Sequence, residues 1–488
     1  MLFNSIEFVI FFILVTGLYF MLPHKFRWFL LLVASCFFYM FFKPVYILIL
    51  GFTIVIDYYA GILLENEPDK KKKKNYLIMS LVANIGVLAV FKYFNFINDN
   101  ISDVATYFGY KNQIPYLNIL LPIGLSFHTF QAMSYTIEVY RGHQKAERNF
   151  GIYSLYVMFY PQLVAGPIER PQNMLHQFHE EHKFDYSAAV SGLRLMLWGM
   201  FKKAVIADRL AQVSDIVFDN PYQQSSMAIL IGCVFFTFQI YCDFSGYSDI
   251  AIGSARIMGF KLMRNFDRPY SATRISEFWR RWHISLSTWF KDYLYIPLGG
   301  NRVPMARKQV NLFVVFLVSG LWHGADWKFI IWGGLHGFYQ VFGNVTESAR
   351  LKIRQAIGLE NIKWLNDNLQ RIITFGLVLV AWVFFRASNS KDALYMISKL
   401  PGVLAELKMM FVSGTFSSGL ALEKHKMTMC CMAILSMEMV HYLQRRHSIS
   451  QLIDSKPIVV RWALYYAVVM IIMYFGVFAS REFIYFQF

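Results

Sequence analysis

The chain has 488 residues, 56% hydrophobic and 18% aromatic but only 16% charged, with a mean hydropathy of +0.39. Soluble domains run nearer a quarter charged, so this composition excludes an ordinary soluble enzyme and suits a chain built for lipid. The formal net charge of +16 would fit nucleic acid, but in a membrane protein Lys and Arg collect in cytoplasmic loops, and no nucleic-acid partner is expected.

Apolar runs of about 18 residues or more read as transmembrane helices, and the chain carries about ten to twelve, some short or broken. The first, over 3–22, lacks a basic start and a small-residue cleavage site, so it reads as a span and not as a removable leader. Spans follow over 27–42, 45–64, 76–95 and 117–138. Basic clusters lie after the first (His24, Lys25, Arg27), the third (Lys70 to Lys74) and the fifth (Arg141, Lys145, Arg148). All three share one side if the N-terminus is outside, which assigns that side to the cytoplasm. "YPQLVAGPIERP", Tyr160–Pro171, puts Pro and Gly in an apolar run. Such backbone survives at membrane depth only within protein or around water, so a re-entrant segment is expected.

The run from Met227 to Phe260 is too long for one straight span, and Gly246 and Gly253 offer breaks. Later spans are expected over 309–324, 327–346, 370–386, 426–444 and 460–479, with an amphipathic surface piece over 389–412. Basic residues around these spans place the tail "REFIYFQF" outside, and both termini are expected to be extracytoplasmic. The five cysteines, Cys36, Cys233, Cys242, Cys430 and Cys431, sit in apolar runs and read as small hydrophobes.

Ionisable groups inside a membrane are expensive and usually face a cavity or a reaction. His323 ends an apolar run in "SGLWHGADW", where a neutral imidazole can take a proton from a hydroxyl. A structural histidine at a helix end is the alternative. His283 lies in "SEFWRRWHISLSTWFKDYLYIPLGG", Ser276–Gly300. Read as one helix, Phe278, Trp279, Trp282, Leu286, Trp289 and Phe290 fill one arc, with His283 at its border. In "FQIYCDFSGYSDIAIGSAR", Asp243, Tyr247 and Asp249 crowd an apolar segment, as a tunnel wall or as a polar loop. His128 and His336 lie in apolar runs and read as packing or tunnel lining. "HQFHEEH" is not the HExxH zinc pattern, so His176, His179 and His182 read as a solvated face, and no metal site is expected.

"WRRWHISLSTWFKDYLYIPLGG", followed by "SGLWHG" and preceded by "LVAGPIERP" and "YCDFSGYSDIAIG", resembles the bacterial membrane-bound O-acyltransferases. The similarity is to the alginate O-acetylation branch, with the D-alanyl transfer proteins of teichoic-acid modification as relatives. It implies an all-α polytopic fold: a ring of tilted helices around a thinned centre, crossed by a tunnel. It implies one domain, with N-terminal helices over 1–150, catalytic core helices over 151–347, C-terminal helices over 348–480 and an extracytoplasmic motif over 481–488.

On the same resemblance His323 is the catalytic histidine and His283 its partner. Trp282, Trp322, Asp243, Tyr247, Asp249 and His336 are candidate tunnel residues. Tyr485, in the C-terminal "FIYFQF", is either an acyl relay or an interfacial anchor. The implied donor is acetyl-CoA, with no permanently bound cofactor. The implied acceptor is a polysaccharide, reached through an extracytoplasmic acyltransferase of the SGNH class. The expected location is the cytoplasmic (inner) membrane, in contact with lipid. D-alanyl transfer to teichoic acid and a non-catalytic polysaccharide channel are the competing expectations.

Overall fold

The computed structural model describes residues 1–118, 122–164, 166–413, 424–478 and 483–484. Among these residues the regular structure is helical, and no strand occurs. The chain is an all-α, multi-pass membrane protein. Five helices are long and apolar enough to cross a bilayer: Tyr46–Asn66, Lys70–Tyr107, Ser226–Ile257, Lys363–Arg386 and Ile458–Phe475. The remaining expected spans also form helices, including Ile6–Met21, His24–Met40, Leu125–Arg141, Met305–His323, Trp327–Val345 and Lys424–Leu443. They fall short of that test because they are shorter or carry more polar residues, as in "MARKQVN" at the start of Met305–His323.

Burial separates pillars from periphery. The most apolar window of Ser226–Ile257 is 78% buried, whereas that of Ile458–Phe475 is 6% buried. In the latter helix Val459, Tyr466, Met470, Met473 and Tyr474 are exposed. An apolar helix with a bare apolar surface faces lipid, where exposure of such side chains carries no hydrophobic cost. Cys233, Cys242 and Cys430 are buried, while Cys431 is exposed on the Lys424–Leu443 helix.

The fold groups into two compact units, interleaved along the chain. The first is formed by Met1–Met196 and Tyr247–Arg264. The second is formed by Leu197–Gly246 and Asn265–Ile484.

In the first unit the "YPQLVAGPIERP" backbone follows the Phe150–Met158 helix as turns and irregular chain. Phe159, Tyr160, Leu163, Val164 and Ile168 are all buried there. Polar groups of this stretch and of the helix before it are hydrogen-bonded within the protein. Tyr160 N–H donates to Ser35 Oγ at 3.0 Å, and Gln131 Nε2 and Gln162 Nε2 donate to the Tyr156 carbonyl at 2.5 and 2.8 Å. Glu169, completely buried, accepts from the Met263 amide.

One expectation is corrected. Ser226–Ile257 runs as a single 32-residue helix, unbroken at Gly246 or Gly253. These glycines let backbones touch. In the first unit a Cβ on Gly253 would lie 2.6 Å from the Gly192 carbonyl oxygen, and in the second a Cβ on Gly246 would lie 2.8 Å from the Gly199 carbonyl oxygen. Small residues at such crossings supply close van der Waals packing where lipid removes the hydrophobic drive.

The 389–412 region forms short helices, Ser390–Lys399 and Val403–Ser413. Glu406 reaches from the second of these to cap the start of Ser226–Ile257, accepting from the Ser226 and Met227 amides at 2.8 Å each.

Candidate active site

His323, His283 and His336 all belong to the second unit. His323 is the last residue of Met305–His323, and Trp327–Val345 returns beside it. The two helices pack through facing glycines. A Cβ on Gly333 would collide with the Phe316 carbonyl, one on Gly320 with the Phe329 carbonyl, and one on Gly324 with the Phe329 ring. The tight turn ends at Asp326, whose side chain caps the returning helix by accepting from Lys328 N–H at 2.8 Å. Asp326 thus has a capping role, the usual one for Asp at a helix start.

This hairpin drives His323 into an aromatic box. Its ring centroid lies 4.9 Å from Trp322, 4.9 Å from Trp332 and 5.4 Å from Phe385, each near edge-to-face. His323 is 5% exposed. One turn beyond Trp332 comes His336, 5.0 Å from the Trp332 ring. Trp279 Nε1–H donates to His336 Nδ1 at 3.2 Å. His336 therefore presents Nδ1 as an acceptor.

The second histidine corrects the single-helix reading of Ser276–Gly300. The segment is a helix over Ile275–Arg281, a second over Ile284–Phe290 and a π-helix over Lys291–Tyr295. The break falls at His283, whose φ of +42° is left-handed. A non-glycine residue there costs about 1–2 kcal/mol, so the surroundings must hold it. They do so through the chain at 265–267: Ile284 N–H donates to the Asn265 carbonyl at 2.9 Å, and Asp267 N–H to the Arg281 carbonyl at 2.9 Å. The expected buried arc survives the break. Phe278, Trp279, Trp282, Leu286, Trp289 and Phe290 are all buried, and His283 is wholly buried with them, not at a border.

Asn265 fixes the chemistry of His283. Its Oδ1 lies 3.1 Å from His283 Nδ1, 2.9 Å from Ser285 Oγ and 3.3 Å from Ser285 N. A backbone N–H only donates, so the amide atom it meets is the oxygen. That oxygen only accepts, so His283 Nδ1 carries the proton. Neutral His283 then presents Nε2 as a lone pair. Sequence reading missed Asn265, which stands eighteen positions from His283 in "KLMRNFDRPY" with no periodicity to mark it.

The structure brings His283 and His323 together around one indole: Trp322 is 6.5 Å from the His283 ring and 4.9 Å from the His323 ring. Trp282 belongs to the same cluster, 4.9 Å from Trp382, which stacks on Trp332 at 5.8 Å. Asp243 is buried in this unit and paired with Lys203 at 2.7 Å. Tyr247 and Asp249 belong to the first unit, where Tyr247 stacks on Phe3 at 4.3 Å.

Tyr485 lies outside the described residues. Phe483 and Ile484 immediately before it are buried. Phe483 packs 5.4 Å from Phe244, which packs 4.7 Å from the His283 ring.

The "HQFHEEH" stretch lies in the first unit. His179 Nε2 sits 2.8 Å from Glu147 Oε2, and Arg27 Nη1 donates to the His182 carbonyl at 2.5 Å. His176 and His182 line an open cleft of about 550 Å³ with Glu180 and Lys261.

A multi-pass helical membrane protein with paired histidines in a buried aromatic cluster is the architecture these residues define. The sequence matches the model of the membrane-bound O-acyltransferase family over residues 44–388, and the chain belongs to that family. It is an O-acyltransferase. It is 40% identical over 400 residues to the probable alginate O-acetylase AlgI of Pseudomonas aeruginosa, covering 80% of this chain and 73% of that protein. It is 36% identical over 403 residues to the peptidoglycan O-acetyltransferase of Helicobacter pylori, covering 76% and 73%. The similarity to the teichoic acid D-alanyltransferase of Bacillus subtilis is lower, 26% over 284 residues, covering 55% and 69%.

Proposed function

We propose that this protein carries an acetyl group from cytoplasmic acetyl-CoA across the inner membrane for O-acetylation of an envelope or exported polysaccharide, with His323 as general base. The observation that carries this reading is the pairing of His283 and His323 around Trp322, beside Phe244 and Phe483. The greater identity to proteins named for alginate and peptidoglycan O-acetylation than to those named for D-alanyl transfer favours acetyl over D-alanyl.

In the proposed reaction the Tyr485 hydroxyl attacks the thioester carbonyl while His323 takes its proton. The tetrahedral intermediate collapses, the C–S bond breaks, and the coenzyme A thiolate leaves with that proton. The acetyl ester on Tyr485 then passes to an acceptor hydroxyl on the outer side, with an SGNH-class acyltransferase as the expected partner. His283, neutral and with Nδ1–H given to Asn265, offers Nε2 as an acceptor. It would orient a hydroxyl or amide N–H of donor or nucleophile, and would steady an oxyanion only as the imidazolium. The N-terminus is assigned to the extracytoplasmic side from the basic clusters at His24–Arg27, Lys70–Lys74 and Arg141–Arg148, and the C-terminus from Arg445, Arg446 and Arg461 before the last span.

The test is Tyr485→Phe, which keeps an aromatic ring and deletes the nucleophile. In proteoliposomes supplied with labelled acetyl-CoA, transfer to the acceptor is expected to disappear. Full transfer would reject the relay and leave Tyr485 an anchor.

A further inference from the structure

A buried charge network in the second unit sets two lysines among two carboxylates. Lys202 and Lys203 sit in the π-helix Phe201–Ala207, and both are buried. Lys203 Nζ lies 2.9 Å from Asp208 Oδ1, five residues on. It also holds Asp243 Oδ1 at 2.7 Å. The other oxygen of Asp243 accepts the amide N–H of Ile484 at 2.9 Å, across 241 residues of sequence.

A second carboxylate at this depth is costly unless each oxygen has a partner. Here one oxygen goes to the lysine and the other to the C-terminal segment. The π-helix and the helix that follows it, Asp208–Asp219, hold that segment further back. Val477 N–H donates to the Ala204 carbonyl at 3.0 Å, Arg209 donates to the Phe475 carbonyl, and Ile472 packs on Ala204 and Val205. A π-turn frees backbone carbonyls from the i→i−4 ladder, which makes one available to an outside amide.

We propose that Asp243, held by Lys203, is a positioning residue for acyl transfer: it fixes the backbone at Ile484, one residue before Tyr485. The proposal rests on the reading of Tyr485 as the acyl-accepting hydroxyl. Asp243 touches neither donor nor nucleophile in this scheme. It acts by seating the strip that carries the nucleophile.

The experiment uses the full-length protein in detergent, with two readouts. One is carboxypeptidase digestion followed by mass spectrometry of the C-terminus. The other is acetyl transfer from labelled acetyl-CoA, with kcat and KM separated. Asp243→Asn keeps one acceptor oxygen but sets its amide N–H donors against Lys203 or Ile484, so protection and transfer are expected to fall between wild type and Asp243→Leu. Asp243→Leu removes the acceptor. Trimming is expected to pass Tyr485, and kcat to fall about 10- to 100-fold, the worth of one hydrogen bond to a charged group, with KM for acetyl-CoA unchanged.

Ile484→Pro deletes the donated N–H without touching the ion pair and is expected to match Asp243→Leu, which guards against loss of folding in the latter. A tail still protected in both variants, or a tail trimmed with transfer unchanged, would overturn the proposal. Tyr485→Phe, run alongside, separates the two layers. Full transfer there defeats the relay, whereas the digestion pattern of Asp243→Leu reports on the clamp alone.

Discussion

Replacing Asn265 by alanine probes whether His283 is a tuned group or a packed one. The Asn265 oxygen receives His283 Nδ1–H at 3.1 Å, Ser285 Oγ–H at 2.9 Å and Ser285 N–H at 3.3 Å, all buried. Alanine leaves the ring N–H and the backbone N–H without that acceptor. Each orphaned buried donor costs about 1–3 kcal/mol, giving about 2–6 kcal/mol together. Ser285 Oγ stands 3.4 Å from His283 Nδ1 and can turn to accept from it, which recovers part of the loss. The expected net cost is therefore about 2–3 kcal/mol.

Ser285 Oγ meets Nδ1 from a different position than Asn265 Oδ1, so part of the cost falls on the orientation of the ring. If about half of it, about 1.4 kcal/mol, falls on orientation, transfer per folded molecule should drop about 10-fold. The assay is acetyl transfer from labelled acetyl-CoA in proteoliposomes, normalised to monodisperse protein, alongside thermal unfolding in detergent. Transfer within about twofold of wild type at an unchanged Tm would refute the argument that Asn265 sets the proton on His283.

Gly333→Leu should abolish accumulation of folded protein, because even a Cβ there meets the Phe316 backbone carbonyl, which cannot swing aside as a side chain does; chromatography of the detergent extract reads it. Glu406→Gln should lower Tm at neutral pH and lose that difference in acid. Burial pushes the Glu406 carboxyl up, but the Met227 and Ser226 amides outweigh it and hold it below its ordinary value of 4.5. A carboxylate depressed in the fold contributes stability above its ordinary value and loses it as pH falls through the folded one. Tm curves for Glu406→Gln and wild type that stay equally far apart from pH 7 to below pH 4 would contradict this.

The helices were legible because lipid imposes long apolar runs, and every span read from hydropathy over 3–95 and 309–479 appears as a helix. The amphipathic 389–412 and the irregular 160–170 were legible for related reasons, alternating polarity in one and Pro and Gly in the other. Local exceptions were not. A helical wheel assumes continuous helix, so it could find the buried arc of Ser276–Gly300 but not the break at His283, which depends on the distant Asn265. Gly246 and Gly253 read as breaks because a glycine gives the same signal for flexibility as for close approach, and only the neighbouring Gly199 and Gly192 tell them apart. His323 was visible because an imidazole at the end of an apolar run is expensive. The aromatic box around it draws on Trp332 and Phe385, which no spacing links.

The most direct test of the account is purified protein in liposomes, given labelled acetyl-CoA, as wild type and as His323→Ala. The account predicts acetyl transfer by the wild type and a loss of about 10²–10⁴-fold in the variant, the range of general-base catalysis, with folding and membrane insertion intact. A His323→Ala protein that transfers acetyl at the wild-type rate would contradict it.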